Sequence, residues 1–352
     1  MPVSPDLAAN LAKDALAVYA GAEEYLLELI AKRLARGIDQ PGWVEAKLAE
    51  VQELRTLVQA EVERLERDGL AAVEAAVRAG YNSGVATAGT DLVAVGTRPE
   101  MAFGIVDLAK VDALVRAARE AVGGTHLRIS RVVVDAYQQV TTETAAQVLV
   151  GTQTRRQAAQ AALDRYARRG ISGFTDRAGR AWSLESYAEM ATRTAAGQAA
   201  VQGHVDRLVE QGWDLLIVSD APQECRICRP WEGKVLSATG AVTEGVAGTL
   251  AQATAAGLFH PGCRHSTSLY QPGVTKAPTR TADPEGDALR QRQRELERRV
   301  RRAKREQAAA LDDDARRRAG VKVRAQQAAL REHVNSNGLK RQSHREQIRR
   351  AI

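Results

Sequence analysis

The chain has 352 residues, with 50 Lys+Arg against 43 Asp+Glu and a net charge of +7. A hydrophobic share of 44% can build a packed core, but aromatics are only 4%, so that core must rely on small residues. Alanine and leucine favour helix, and the aromatic residues that strands prefer are scarce, which argues against an all-β fold.

Three cysteines do not suit a disulfide-stapled secreted scaffold. The opening residues lack a basic and then apolar stretch, so no signal peptide is expected. No run reaches the ~18 uncharged apolar residues of a membrane span. Charge is unevenly placed. Residues 281–352 hold 20 Lys+Arg and 11 Asp+Glu, whereas residues 1–280 hold 30 and 32. All the excess positive charge sits at one end, which points to a polyanion or an acidic protein surface as its partner.

In chain order, residues 4–36 read as one helix, with Leu7, Leu11, Leu16, Leu26, Leu27 and Ile30 at helical spacing. Gly37 to Gly42 breaks it. A second helix is expected from Trp43 to Ala79, with Val51, Val58 and Leu65 seven apart. That seam fits a hairpin or an oligomer contact, but the favoured reading is an ordinary buried stripe in a bundle. Gly80-Tyr81-Asn82-Ser83-Gly84 reads as a turn, and 85–104 as loop. Helices follow at about 106–121, 128–150 and 152–169. Phe174 and Trp182 flank a turn and predict a small hairpin. Ser183 is the expected cap of a helix running to Gln211, and Glu185 suits its N-terminal dipole.

From Trp213 the pattern changes. Asp214–Ser219, Lys234–Ser237 and Ser266–Tyr270 read as short strands, and 244–258 as a loose Ala-rich helix or a loop. A linker rich in Pro, Thr and Gly leads to a strongly charged helix over 287–310. Asp312 to Asp314 opens a last helix that Asn335 to Gly338 closes, and a basic tail ends the chain. The expected fold is mainly α. It comprises an elongated helical N-terminal body (1–105 and 106–169), a small α+β cysteine-containing module (170–275), a linker (276–286) and a basic helical arm (287–352).

Chemistry concentrates in the module. Cys225-x2-Cys228 and His260-x2-Cys263, with His265 beyond, bring all three cysteines and two of the six histidines together. Zinc takes four N/S ligands in a tetrahedron, and Cys225, Cys228, Cys263 with one of His260 or His265 can fill such a site. A closed site of this kind is structural. The other reading is three reduced thiols packed as small apolar groups. A redox Cys-x2-Cys is disfavoured because Pro230, Trp231 and Gly233 follow where a helix is needed. A nucleobase-deaminase reading would use His204-Val205-Asp206 with Cys225-x2-Cys228, a poor match because the acid is Asp and not Glu. No G-x-S-x-G, H-E-x-x-H, P-loop or G-x-G-x-x-G is present, so no catalytic residue is assigned. In the arm, Arg292, Arg294, Arg298, Arg299, Arg301, Arg302, Lys304 and Arg305 wrap most of one helix. They suit phosphates read without sequence preference, or an acidic protein neighbour.

Cys228-Arg229-Pro230-Trp231-Glu232-Gly233-Lys234-Val235-Leu236-Ser237, followed by Gly262-Cys263-Arg264-His265-Ser266, resembles the phage minor capsid protein 2 family. His260-Pro261-Gly262-Cys263-Arg264-His265 is also similar to the end motif of the phage Mu-type head-morphogenesis proteins, with His265 where that motif has Cys. The similarity covers about 170–340. It implies a structural virion protein, not an enzyme, made in the host cytoplasm. It further implies few copies or a ring inside the capsid at the portal vertex, where the protein helps head assembly or maturation. The implied partners are the portal and major capsid proteins, with packaged double-stranded DNA for the basic arm. The competing expectation is a virion-carried enzyme or effector, of ADP-ribosyltransferase or zinc-dependent type.

Overall fold

The computed structural model describes residues 4, 6–96, 107–151, 153–176, 178–221, 223, 225–279 and 282–348. The protein is mainly helical, with two small antiparallel sheets among the described residues. The helices are α1 (Leu7–Leu11), α2 (Lys13–Ala35), α3 (Trp43–Ala49), α4 (Val51–Arg64), α5 (Leu70–Ala94), α6 (Leu108–Gly123), α7 (Ile129–Leu149), α8 (Arg155–Arg169), α9 (Leu184–Glu210), α10 (Leu250–Ala255), α11 (Pro284–Ala308) and α12 (Asp313–Ser336). The strands are β1 (Phe174–Thr175), β2 (Ala181–Trp182), β3 (Leu215–Val218), β4 (Val235–Ser237) and β5 (Thr267–Leu269). The chain divides into two compact units, each gathered from three separated stretches. The first is Met1–Ala15, Ala71–Ala121 and Glu189–Arg290; the second is Leu16–Leu70, Val122–Ala188 and Gln291–Ile352.

In the first unit, β3 is central and pairs antiparallel with β4 and β5. Leu216 faces Leu236 on one side and Leu269 on the other. These three side chains pack with Leu92 of α5, Val201, Val205 and Leu208 of α9, and Leu258 and Phe259. The expected strands are thus all present, and 244–258 resolves into the short α10, capped by Thr249.

The turn expected at Gly80–Gly84 is not formed. Helix α5 runs through it to Ala94. The glycines there are spacing residues. A Cβ at Gly80 would strike the carbonyl oxygen of Ala196, and one at Gly84 that of Ala200. Gly203 of α9 meets the Tyr81 carbonyl in the same way. Small residues let two helix backbones approach closely, and the tight packing that results offsets the poor helix propensity of glycine. The loop expected over 85–104 is therefore helix as far as Ala94, and residues 97–106 lie outside the described residues. Asp206 of α9 ties the unit together, accepting from Tyr81 Oη at 2.8 Å, Lys110 Nζ at 2.8 Å and Gln202 Nε2 at 2.7 Å.

In the second unit α7 packs on α8, α4 and α3. Its core holds Leu26, Leu27, Ile30, Leu34, Leu54, Val58, Leu65, Val133, Tyr137 and Leu163, all buried. Val58 and Leu65 are buried and Val51 is half-buried, so this seam is an ordinary apolar stripe within the unit. The long second helix is interrupted at Glu50 and again by a π turn over Leu65–Gly69. That turn brings Gly69 against Tyr19, where a Cβ would stand 2.7 Å from the phenol oxygen. The expected hairpin is present, with Phe174 opposite Trp182 and both rings edge-on to Tyr187. Asp176 holds its turn through Trp182 Nε1 and the Arg180 amide, and these bonds pull its carboxyl down to about 2. Ser183 Oγ contacts Ser186 Oγ at 3.0 Å.

Helix α11 is only partly the solvated arm expected. Leu296 and Val300 pack against Leu330 and Val334 of α12. Arg305 donates to Glu185 at 2.5 Å and to the Ala167 carbonyl at 2.9 Å. Glu185, expected to serve the helix dipole, is 1% exposed and belongs to this pair. The C-terminal basic tail is also engaged as far as it is described. Arg345 and Glu346 are buried, and Arg301 donates to the Arg345 carbonyl. Residues 349–352 of the tail lie outside the described residues.

Candidate metal centre

Two tight turns build the site. In the first, the Cys228 and Arg229 amides both bond the Cys225 carbonyl at 3.2 Å; in the second, the Cys263 amide bonds the His260 carbonyl at 2.9 Å. Each turn places two donor side chains three residues apart on one side of the backbone. Phe259 enters the second turn with φ of 61°, in the left-handed region. Cys228 is fully buried in the core beneath the sheet, while Cys225 and Cys263 are half-buried at its edge.

The donor atoms form two triads that share Cys228. Cys225, Cys228 and His260 make one; Cys228, Cys263 and His265 make the other. Within each, all ligand atoms lie within 4.8 Å of one another. Cys228 Sγ is 3.6 Å from Cys263 Sγ, and Cys263 Sγ is 3.4 Å from His265 Nδ1. Cys225 Sγ is 3.0 Å from His260 Nε2. Zinc bonds of about 2.3 Å to sulfur and about 2.0–2.1 Å to nitrogen give tetrahedral edges near those first two distances, roughly 3.5–3.8 Å. The five side chains read from the sequence therefore come together as two triads joined at Cys228, each close enough to hold a metal ion.

Both imidazoles are oriented from behind. His260 Nδ1 meets the Pro261 carbonyl at 2.9 Å, and His265 Nε2 meets Glu232 Oε1 at 2.7 Å. Glu232, which in the sequence stood out only as a member of the stretch that carries the family resemblance, also accepts from the Ala221 amide at 3.2 Å. The thiols are unequal. The S–H of Cys228 directed at Cys263 holds the Cys263 thiol well below its ordinary value and pushes Cys228 up. A thiolate is the form that binds metal, so Cys263 is disposed toward ligation, whereas Cys228 would have to give up its proton to join it.

His204 and Asp206 take no part in this centre. His204 is buried, with Nε2 on Asp91 at 3.1 Å and Nδ1 on Thr267 at 3.3 Å, and it braces α5, α9 and β5. This packing role is what remains of the deaminase-like spacing.

The basic residues of α11 divide into two sets. Arg292, Arg298, Arg299 and Arg302 are exposed, and Arg294 and Lys304 are half-buried. Arg301 and Arg305 are 3% and 5% exposed and turn inward, so these two are withdrawn from any surface contact. Helical periodicity explains the split: 301 and 305 are one turn apart and continue the apolar stripe of Leu296 and Val300.

No helix among the described residues is long and apolar enough to cross a membrane. Neither the curated proteins nor the solved structures contain a match to the chain. Residues 3–335 match the family described as phage minor capsid protein 2. That match spans nearly the whole sequence, including the helical first half that no motif could place, and the chain belongs to the phage minor capsid protein 2 family, as a structural protein of the phage head.

Proposed function

We propose that the protein works inside the capsid at the portal vertex, as few copies or a ring, and assists head assembly or maturation. The portal and major capsid proteins are its partners in this reading. The observation that carries it is the family match over residues 3–335. The cysteine–histidine centre supports an architectural role. Zinc held by three thiolates and an imidazole would be a closed site, which leaves no open position for a substrate. It would pin the 225–228 and 260–265 turns to a sheet of only three short strands.

The exposed face of α11 supports contact with packaged DNA or an acidic capsid surface. Arg298, Arg299 and Arg302 offer charge without the paired amide groups that read bases. Crosslinking mass spectrometry on intact particles and on proheads tests the placement. Crosslinks from this chain to the portal protein are expected. Absence of the chain from both particles would end the proposal.

A further inference from the structure

This inference rests on the metal reading above. We propose that the metal is held by Cys225, Cys228, Cys263 and Nδ1 of His265, and that Glu232 is the residue that positions His265 for it. His260 then stands outside the coordination shell as the hydrogen-bond partner of Cys225.

Three observations separate the histidines. The first is the second partner of each ring. Glu232 is an acceptor for His265 Nε2 at 2.7 Å, and both side chains are 2% exposed. An ionised carboxylate can only accept, so it fixes the ring hydrogen on Nε2 and leaves the Nδ1 lone pair toward Cys263. Carboxylates placed in this way behind metal-binding imidazoles orient them and raise their basicity. The corresponding partner of the His260 ring is the carbonyl of its own neighbour, Pro261. The second is distance. Cys263 Sγ to His265 Nδ1 is 3.4 Å, close to the edge of a tetrahedron around zinc, about 3.5 Å. Cys225 Sγ to His260 Nε2 is 3.0 Å, shorter than that edge and suited to a direct hydrogen bond. The third is shelter. His265 is 7% exposed and bonded on both ring nitrogens, and its amide also points at Cys263 Sγ at 3.3 Å. His260 lies at the rim. Spacing alone favours the opposite choice, because His260-x2-Cys263 mirrors Cys225-x2-Cys228.

The full-length chain is loaded with zinc, and affinity is read by competition with a chromophoric chelator. His265→Ala is expected to lose tight binding, and Glu232→Gln to weaken it about 10–100-fold. His260→Ala is expected to keep one zinc with affinity near that of the unaltered chain. Nitrogen-15 correlation spectra of the unaltered zinc-loaded chain should show His265 bound through Nδ1 and protonated at Nε2, a readout that requires no variant to fold. If His260→Ala loses the zinc while His265→Ala and Glu232→Gln retain it, the inference is overturned and the metal reading stands. If the unaltered chain binds neither zinc nor cobalt, both fall together.

Discussion

Gly84 of α5 and Ala200 of α9 approach so closely that only a hydrogen atom fits between the Gly84 α-carbon and the Ala200 carbonyl oxygen. The obstructing atom is backbone, and it sits in a helix that cannot move without disturbing Val201 and Val205 beneath the sheet. Relief must come from separating the helices. Gly84→Ala is therefore expected to destabilise the protein by about 1–3 kcal/mol, although alanine is the better helix former. Gly89→Ala on the same helix, where a Cβ meets open space, should be neutral or stabilising. Urea unfolding of the two variants checks both, and equal midpoints would refute the close-packing account.

That contact also shows where the sequence was legible. Apolar spacing located most helices, and the run Leu215-Leu216-Ile217-Val218 located the central strand, because both signals are local. The cysteines and histidines of the centre were legible through their chemistry alone. Gly80 and Gly84 were misread because glycine has one appearance in a sequence and two uses, breaking a helix and admitting a neighbour. Glu232 could not be picked out, since nothing near it in sequence says that His265, 33 residues later, will meet it. Arg301 and Arg305 were counted as solvent-facing on residue type. Their partner Glu185 lies more than a hundred residues earlier.

The buried pairing of Arg305 with Glu185 sets up a contrast along one helix. Removing one member of a buried pair costs about 3–5 kcal/mol where the other is left uncompensated, and Arg301, 3.6 Å from Glu185, offsets part of that loss here. Arg305→Ala should therefore lose about 3 kcal/mol, the lower end of that range. Arg302→Ala, an exposed change three residues away, should fall within about 0.5 kcal/mol of the unaltered protein. Denaturant titration distinguishes them, and similar values would mean that Arg305 is not the inward anchor described.

Two buried groups of the second unit give opposing pH responses. Glu23 accepts from the Ile171 amide and Ser172 Oγ. Burial, and then the Glu185 charge, raise its carboxyl from 4.5 to about 7. Between those values the folded state binds more protons than the unfolded one, so its contribution to stability is lost as pH rises through about 7. His126, bonded to Tyr19 Oη, is lowered by burial from 6.5 to about 4. The unfolded state then binds more protons, and stability falls as pH drops from 6.5 toward 4. Glu23→Gln should therefore leave a chain relatively weaker at acid pH, and His126→Gln one relatively weaker at neutral pH. Unfolding midpoints of each variant across this range, compared with the unaltered protein, give the two slopes. Parallel profiles for all three would remove both assignments.

The outward face of α11 carries the remaining prediction. Arg292 and Arg299 share Glu295, so part of their charge is already met within the helix. Arg298 and Arg302 are exposed four residues apart and fall on one side of it. If this face meets DNA phosphates, each lost contact lowers the slope of log affinity against log salt by about 1. Replacing Arg298, Arg299 and Arg302 by Ser should weaken binding to double-stranded DNA of any sequence and reduce that slope by about 2–3. Because these side chains are exposed, the variant should unfold at the same denaturant concentration as the unaltered protein, so loss of binding cannot be confused with loss of fold. A slope unchanged by the triple replacement would transfer the face to a protein neighbour, where the same arginines would be expected to crosslink to acidic residues of a capsid subunit.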